Sequence, residues 1–598
     1  MRATEPLQES ALQANGHNSL AGQAPTAALQ RPFDSCLQDQ PVNTRPAPWP
    51  LLAFLSTKAS SRAPPHTDNN TRSGDTKVTQ PSSFPTHQDV HYLGGVGDWI
   101  THHATQDPQR MALVFGDLRL TYSELNQRIN RLANALTDLG VGKGDRVALL
   151  MLNGNHFIES FFACAKLGAI ALPLNYRLSA EEIGFILGDA GATVLLYQPA
   201  LADLFRPIRQ SSALRHGIAT EGEAEPGDHH YDALLDAAPA SEPGVPLNQN
   251  DPLMMMYTSG TTGKPKGALL SHGNPTWLTA DMVASDAAIS RDSVILTIAP
   301  LFHIGGLAVH TLPALNIGAQ VVLHAQFDPR HTLATVQEER ITELFLLPAM
   351  WQALSQLPNV DDYDLSSLRS LLSGGAPCPI PVIEFFQKRG LAFQEGFGMT
   401  ETCAGACILG SADAVRKNGS VGKPLVYVQM RIVDENDQDV ATGEVGELIL
   451  RGPTMFLGYW GRPDATEEAC RNGWFHSGDL ARRDEEGFYY IVDRKKDMLI
   501  SGGENVYPTE VEQVLYKHEQ VLEVAVIGVP DDKWGEVPMA VVVPRDGQTP
   551  TLESLRDFCD GKLGRFKIPK HLALVDELPR NATGKILKRT LRDRFTGA

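Results

Sequence analysis

The sequence predicts an α/β protein: a large N-terminal domain of α/β sheets carrying a β subdomain, followed by a small α+β C-terminal domain. Three observations predict it. From about Val90 helical and extended patterns alternate regularly, the signature of a largely parallel sheet with crossover helices. Short extended segments then cluster between Val428 and Val492. After Asp493 comes a compact run with strands and a helix of its own, enough for a separate core.

Thr121–Leu139 reads as an amphipathic helix, with start signals at Thr121 and Ser123 and with Leu125, Ile129, Leu132, Ala135 and Leu136 at helical spacing. A turn over Gly140–Asp145 leads into the apolar run Arg146–Met151, a buried strand. A helix over Phe157–Leu167 and a short strand over Ala169–Pro173 follow. Leu253–Met256 is a further apolar run. Val428–Val433, Gly446–Arg451 and Phe488–Val492 are the later β segments; beyond the junction, Val524–Val529 and Met539–Pro544 are strands and Leu552–Leu563 a helix. The division expected is 1–89 as a disordered low-complexity extension, 90–495 as the large domain and 496–598 as the small one.

Charge excludes several functions. The 598 residues carry 52 Lys and Arg against 70 Asp and Glu, a net charge of −18. Residues 1–89 hold seven of each sign, so the whole deficit belongs to 90–598. Gripping nucleic acid or an anionic membrane needs clustered positive charge, so neither is expected. The first 89 residues also hold 11 of the 40 prolines, are rich in Ser, Gln, Thr and Asn, and lack a sustained apolar period. That composition cannot offset the entropy of ordering; the stretch is either a genuine tail or an upstream extension from a misplaced start. No stretch approaches the ~18 apolar residues of a membrane helix. Glu5 and Glu9 fit neither a secretory signal nor, well, an organellar transit peptide, so the expectation is cytoplasmic. The seven cysteines are too sparse for a disulfide scaffold, and Cys403 and Cys407 lack a second pair for zinc.

The sharpest local signal is Tyr257-Thr-Ser-Gly-Thr-Thr-Gly-Lys-Pro-Lys-Gly267. Gly260, Gly263 and Gly267 permit tight turns; Thr258, Ser259, Thr261 and Thr262 offer hydroxyl donors; Lys264 adds positive charge. Behind a strand, such a loop is a polyphosphate cradle. It is not a Walker loop, because the glycine spacing before Lys264 is wrong and Pro265 stands where a metal-binding hydroxyl belongs.

This segment resembles the phosphate loop of the adenylate-forming acyl-CoA synthetases, the superfamily that includes peptide-synthetase adenylation domains and firefly luciferase. The resemblance covers roughly residues 95–598 and rests on several motifs in the expected order. Pro300-Leu-Phe-His-Ile-Gly-Gly306 resembles the segment that gates the carboxylate pocket, implying a gate at His303. Ser373-Gly374-Gly375-Ala376 resembles the turn that lies against adenine. Glu395-Gly-Phe-Gly-Met-Thr-Glu-Thr402 resembles the family's aromatic-Gly-Met-Thr-Glu signature and implies that Phe397 stacks on adenine, Thr400 meets the α-phosphate and Glu401 holds Mg²⁺ directly or through water; a hard cation of this kind pairs with carboxylate and phosphate oxygens. Phe397 stands where many relatives have Tyr. Trp474–Asp479 implies that Asp479 takes both ribose hydroxyls, with Ser477 where Thr is common. In Asp493–Pro508, Arg494 is implied at the ribose or phosphates, Lys496 as the hinge, and Ser501, Gly502, Gly503 and Glu504 as the loop guiding pantetheine. Pro579-Arg-Asn-Ala-Thr-Gly-Lys585 matches the loop whose lysine enters for adenylation.

The resemblance implies an acyl-CoA synthetase/luciferase-like fold and a ligase that uses ATP, Mg²⁺ and CoA, with small-molecule partners and with a homodimer left open. Gly305, Gly306, Leu307 and Ala308 leave room beside the gate without adding charge. That fits an apolar tail, and because the texture of the whole chain resembles bacterial fatty-acyl-CoA synthetases, a medium- or long-chain fatty acid is expected first and a cinnamate-type aryl acid second. A free-standing adenylation enzyme loading a carrier protein is less favoured: the gate reads Phe302-His303-Ile304, without an aspartate for a substrate amine, and the chain stops soon after Lys585. Luciferase-like oxidation shares the motifs but needs a specialised substrate. A nucleotide-binding regulator predicts decay in at least one motif, and none is damaged.

Overall fold

The computed structural model describes residues 94–596 apart from 259–264, 286–288, 377, 411 and 418 and 581–585. The stretch expected to be disordered, 1–89, lies outside the described residues. Those described belong to one compact unit.

Two large mixed sheets build the N-terminal domain. One orders its strands Gly458–Tyr459, Lys266–Ser271, Pro252–Thr258, Ile170–Pro173, Arg146–Leu150, Val194–Tyr197, His216–Ala219 and His229–His230. Arg146–Leu150 is parallel to both neighbours. Its apolar run is buried on both faces, as a central parallel strand should be. The helix expected from Thr121 runs Tyr122–Asp138. Thr121 starts it through a reciprocal cap: its hydroxyl accepts from Glu124 N at 3.3 Å, and the Glu124 carboxylate accepts from Thr121 N at 2.8 Å. Leu125, Ile129, Leu132 and Leu136 form its buried stripe.

The other sheet contains six successive parallel strands, Met111–Phe115, Gln320–Leu323, Val294–Thr297, Glu343–Leu346, Ser370–Ser373 and Phe393–Phe397. Antiparallel strands, Leu118–Thr121 at one edge and Cys407–Ile408 with Lys423–Pro424 at the other, complete it. The parallel run brings the carboxyl ends of its strands to one side, where loops leave the sheet and ligands bind in open α/β folds.

The β subdomain is an antiparallel sheet ordered Gln429–Val433, Gly446–Arg451, Phe475–Arg483 and Tyr489–Arg494. The C-terminal domain pairs Val521–Asp531 with Gly535–Pro544 over more residues than the apolar runs alone suggest, the ladder continuing to Asp531 opposite Gly535. Its helix stops at Cys559 instead of Leu563: Asp560 turns to φ −61°, ψ 136° and Gly561 to φ +73°. Leu499, Val506, Val511, Leu515, Val524 and Leu555 give it a core of its own. Among the described residues no helix is long and apolar enough to cross a membrane, and the cysteines are free thiols, all buried except Cys470.

Candidate active site

Three candidate segments leave carboxyl ends of the parallel run: two from the adjacent strands Ser370–Ser373 and Phe393–Phe397, and one from Val294–Thr297, which Glu343–Leu346 separates from them. After Val294–Thr297 the chain reaches His303, whose Nδ1 accepts from Gly305 N at 3.2 Å. The approach to it is held by Asn153, from the other sheet. The Asn153 amide donates to Ile298 O and Ala299 O at 3.2 and 3.1 Å, and its carbonyl accepts from Leu301 N at 2.8 Å. One buried side chain thus closes three backbone groups of the gate loop, a role the sequence reading missed. Gly306 has to be glycine, since a Cβ there would lie 2.3 Å from Pro300 O.

After Ser370–Ser373 comes Gly374, where a Cβ would lie 3.1 Å from the Phe345 ring. Gly375 follows at φ +84°. Ala376 is half-buried. Gly305 meets the opposite edge of Phe345, at 3.3 Å from a built Cβ. One aromatic ring therefore separates the gate from the glycine turn.

After Phe393–Phe397, Phe397 is partly exposed and Thr400 and Glu401 are buried in a tight turn. A Cβ on Gly398 would sit 1.9 Å from Ala404 O. Cys403 and Ala404 take φ +52° and +76°, left-handed values unusual for residues with a Cβ. Each such residue costs on the order of 1 kcal/mol, and strain of this kind clusters at functional sites.

The Glu401 carboxylate accepts from the Tyr459 hydroxyl at 2.8 Å. Burial pushes its pKa up; the Tyr459 hydrogen bond and the field of Arg494 oppose this, while Asp479 adds to it. Tyr459 was also missed from the sequence, although the Gly458-Tyr459-Trp460 run is a visible signal. It pairs with Ala268 in the stem of the glycine-rich hairpin, and Trp460 N donates to Gly267 O at 2.8 Å. Thr258 ends one strand of that stem, paired with Lys266, whose Nζ lies 5.2 Å over the Tyr459 ring. Ser259, Gly260, Thr261, Thr262, Gly263 and Lys264 lie outside the described residues, as does Lys585.

Asp479 and Arg494 face each other across the two last strands of the β subdomain, Arg494 Nε lying 3.1 Å from Asp479 Oδ1. Ser477 Oγ accepts from Asp479 N at 3.1 Å and donates to Leu448 O at 2.6 Å, work a threonine hydroxyl could equally do. The fields of both Arg494 and Asp479 reach Glu401. For Lys496, burial pulls the pKa down, with Arg494 and Arg592 adding to this and Asp497 and Asp479 opposing. Ser501, Gly502, Gly503 and Glu504 form a hairpin turn that packs on its own domain, with Gly502 N donating to Trp534 O at 2.8 Å. Buried Glu395 accepts from Cys378 N at 3.1 Å, and burial pushes its pKa up to about 7.

The donor set suits a nucleotide with a hard cation. One buried carboxylate is oriented by a phenol, a second stands beside a guanidinium, and no cluster of three or more His, Cys, Asp or Glu forms a separate metal cage among the described residues.

Residues 100–460 match the family described as AMP-binding enzyme, and 510–585 match the AMP-binding enzyme C-terminal domain. A feruloyl-CoA synthase from Amycolatopsis is 43% identical over 501 residues, 84% of this chain and 99% of that protein. An indoleacetate–CoA ligase from Aromatoleum aromaticum is 40% identical, covering 83% of this chain and 97% of that one, and the long-chain-fatty-acid–CoA ligase FadD13 from Mycobacterium tuberculosis is 38% identical, covering 84% and 99%. Among solved structures, a Mycobacterium tuberculosis fatty acyl CoA synthetase superposes with a TM-score of 0.69 at 36% identity over 84% of this chain and 98% of that one. The anthranilate CoA ligase AuaEII with anthranoyl-AMP does so at 0.79 and 28%, over 84% and 97%. With a strand-end site of this composition and both domain matches in order, the chain belongs to the AMP-binding enzyme family, the adenylate-forming acyl-CoA synthetases, and is an acid–thiol ligase.

Proposed function

We propose that the chain is an ATP-dependent aryl acid:CoA ligase, forming an acyl-adenylate and transferring the acyl group to the CoA thiol. The observation that carries the reaction type is that His303, the Gly374–Gly375 turn and Thr400–Glu401 all follow carboxyl ends of strands in one parallel run, with the fields of Arg494 and Asp479 acting on Glu401. Two features support the acid class over the fatty acid expected first. The ring of Phe345 lies between the gate and the glycine turn, and aromatic edges and faces attract another ring. The relatives at 43% and 40% identity are named for aryl acids, against 38% for the fatty-acid ligase.

In the first half-reaction the substrate carboxylate attacks the α-phosphorus of ATP and pyrophosphate departs. Side chains form no bond to the reacting atoms; they position them and neutralise phosphate charge. Asp479 accepts the ribose hydroxyls, Phe397 stacks on adenine and the glycines at 374 and 375 let the backbone approach it. Thr400 meets the α-phosphate. Glu401, oriented by Tyr459, would hold the Mg²⁺, which would supply neutralisation of phosphate charge. The hydroxyls of Thr258, Ser259, Thr261 and Thr262, with Lys264 and the glycines 260 and 263, bind the outer phosphates, and Lys585 the reacting oxygens. In the second half-reaction the CoA thiol attacks the mixed anhydride and AMP leaves. Lys585 withdraws as the C-terminal domain, 496–598, turns about Lys496, and Ser501, Gly502, Gly503 and Glu504 guide the pantetheine arm.

The test is a panel of carboxylic acids with ATP, Mg²⁺ and CoA, following AMP release. Cinnamate- or arylacetate-type acids are expected to give the highest kcat/KM. A preference for medium- or long-chain fatty acids overturns the aryl reading, and AMP release that needs a carrier protein instead of CoA overturns the acceptor.

A further inference from the structure

The strands Gly446–Arg451 and Phe475–Arg483 fall out of register at the candidate ribose aspartate. Glu447 pairs with Leu480 and Ile449 with His476, so Leu448 alone faces Ser477, Gly478 and Asp479. An excess of residues on one strand is a bulge, and bulges recur beside active sites, where they re-aim a side chain. Here Asp479 leaves the ladder with Gly446–Arg451 and keeps its pairing with Arg494 on the other side. Gly478 bends the bulge at φ +70°, a left-handed value.

A bulge takes backbone groups out of the ladder, and these need other partners. Ser477 Oγ serves two of them, accepting from Asp479 N and donating to Leu448 O. Gly478 O accepts from Lys495 N at 3.0 Å. Gly478 N donates to Oε1 of Glu447 at 3.3 Å, and Oε2 of the same carboxylate lies 3.2 Å from Lys495 Nζ. Glu447 thus joins the bulge to the residue between Arg494 and Lys496. His476 Nδ1 and Arg471 Nη2 lie 3.7 and 3.8 Å from Oε2, so nitrogen groups of three residues face that oxygen.

Glu447 is 8% exposed and precedes the apolar run Leu448-Ile449-Leu450, which is buried with it. Burying a carboxylate in such a strand costs free energy unless it is paired and hydrogen-bonded. Backbone pairing on either side of the bulge does not use the Glu447 side chain. What that side chain supplies is a charged acceptor for the bulge amide, and a hydrogen bond to an ionised group is roughly twice as strong as a neutral one.

We propose that Glu447 is a positioning residue for the nucleotide: its carboxylate holds the bulge Ser477–Asp479 in the shape that presents Asp479 to the ribose hydroxyls. The assignment rests on the placing of Asp479 at the ribose above and adds the residue that sets its geometry.

The experiment measures Kd by calorimetry for ATP and for 2′-deoxyATP, each with Mg²⁺, in the wild type and in Glu447→Ala, Glu447→Gln and Asp479→Asn. The wild type is expected to bind ATP roughly 10-fold more tightly, the scale of one hydrogen bond to a charged acceptor. Asp479→Asn should lose most of that preference, which tests the ribose contact by itself. Glu447→Ala should lose most of it too, with 2′-deoxyATP bound within a few-fold of wild type. Glu447→Gln, whose side-chain oxygen can still accept from Gly478 N, should keep most of it. A ratio unchanged in Glu447→Ala, equal losses for both nucleotides, or a Glu447→Gln as impaired as Glu447→Ala overturns the proposal and leaves Glu447 a structural ion pair. If Glu447→Ala fails to fold, Glu447→Asp, one methylene shorter, takes its place under the same criteria. A wild type that does not discriminate, or an Asp479→Asn that still does, overturns the ribose reading and this proposal with it.

Discussion

Between Val294 and Glu401 the candidate residues sit on turns locked from several sides: Asn153 closes three backbone groups before His303, Gly306 is wedged against Pro300 and Tyr459 fixes Glu401. Beyond Asp493 the residues implied in the same chemistry sit in a domain with its own core, tied back by a few polar contacts. Thr509 N donates to Asp493 Oδ2 at 2.8 Å, and Arg592 lies 3.0 Å from Asp497 Oδ1 beside the implied hinge. On the proposed function, the first region holds still and the second is repositioned. Binding the nucleotide needs fixed donors, whereas exchanging a lysine for a thiol needs a surface that can leave.

Lys585→Ala breaks that division most sharply. Adenylation should fall roughly 10²–10³-fold, as when one oxyanion-stabilising donor is lost, while thioester formation from supplied acyl-adenylate is kept. Rapid-quench assays of the separate half-reactions check this, and equal loss in both refutes the role.

Glu395 tests the rigidity of the fixed region. Its folded pKa of about 7 lies above the ordinary 4.5, so folding takes up a proton between these values. The carboxyl destabilises the fold increasingly as pH rises through that window, by an order of 3 kcal/mol above it. Glu395→Gln should therefore be more stable than wild type at pH 8, with the gap nearly closed at pH 5, read from denaturant midpoints at both.

Asp479→Asn keeps the shape and removes the charge facing Arg494. ATP affinity should fall by roughly 10-fold, the scale of a charged hydrogen bond, with little change in the KM for the acid. An unaltered nucleotide Kd by calorimetry removes Asp479 from the ribose.

The smallest effect is expected at the hinge. Arg592→Met breaks a partly exposed pair with Asp497 worth at most about 1 kcal/mol, so domain exchange should change a few-fold and nucleotide binding hardly at all. Stopped-flow measurement of the thioester step, compared with equilibrium ATP binding, separates the two.

Much of this architecture was legible in the chain. The helix from Thr121 and the strand from Arg146 follow from local patterning, and their ends shift only by cap geometry. The motifs around His303, Gly374, Glu401, Asp479 and Lys496 are contiguous, so each is readable as a string. Asn153 and Tyr459 were not. Each acts on a partner far away in sequence, a relation that leaves no local period. Phe345 illustrates the same limit: it borders Gly305 and Gly374 but comes from another strand, so neither motif announces it.

The sequence by itself determined the class of fold, the family and the reacting phosphate chemistry, because these reside in short-range backbone requirements and in dense motifs of glycine, hydroxyl and charge. Only the tertiary structure decided which segments share a site. Six parallel strands bring loops scattered over a hundred residues to one side of a sheet, and burial there sets the state of Glu395 and Glu401, which no string of neighbours specifies.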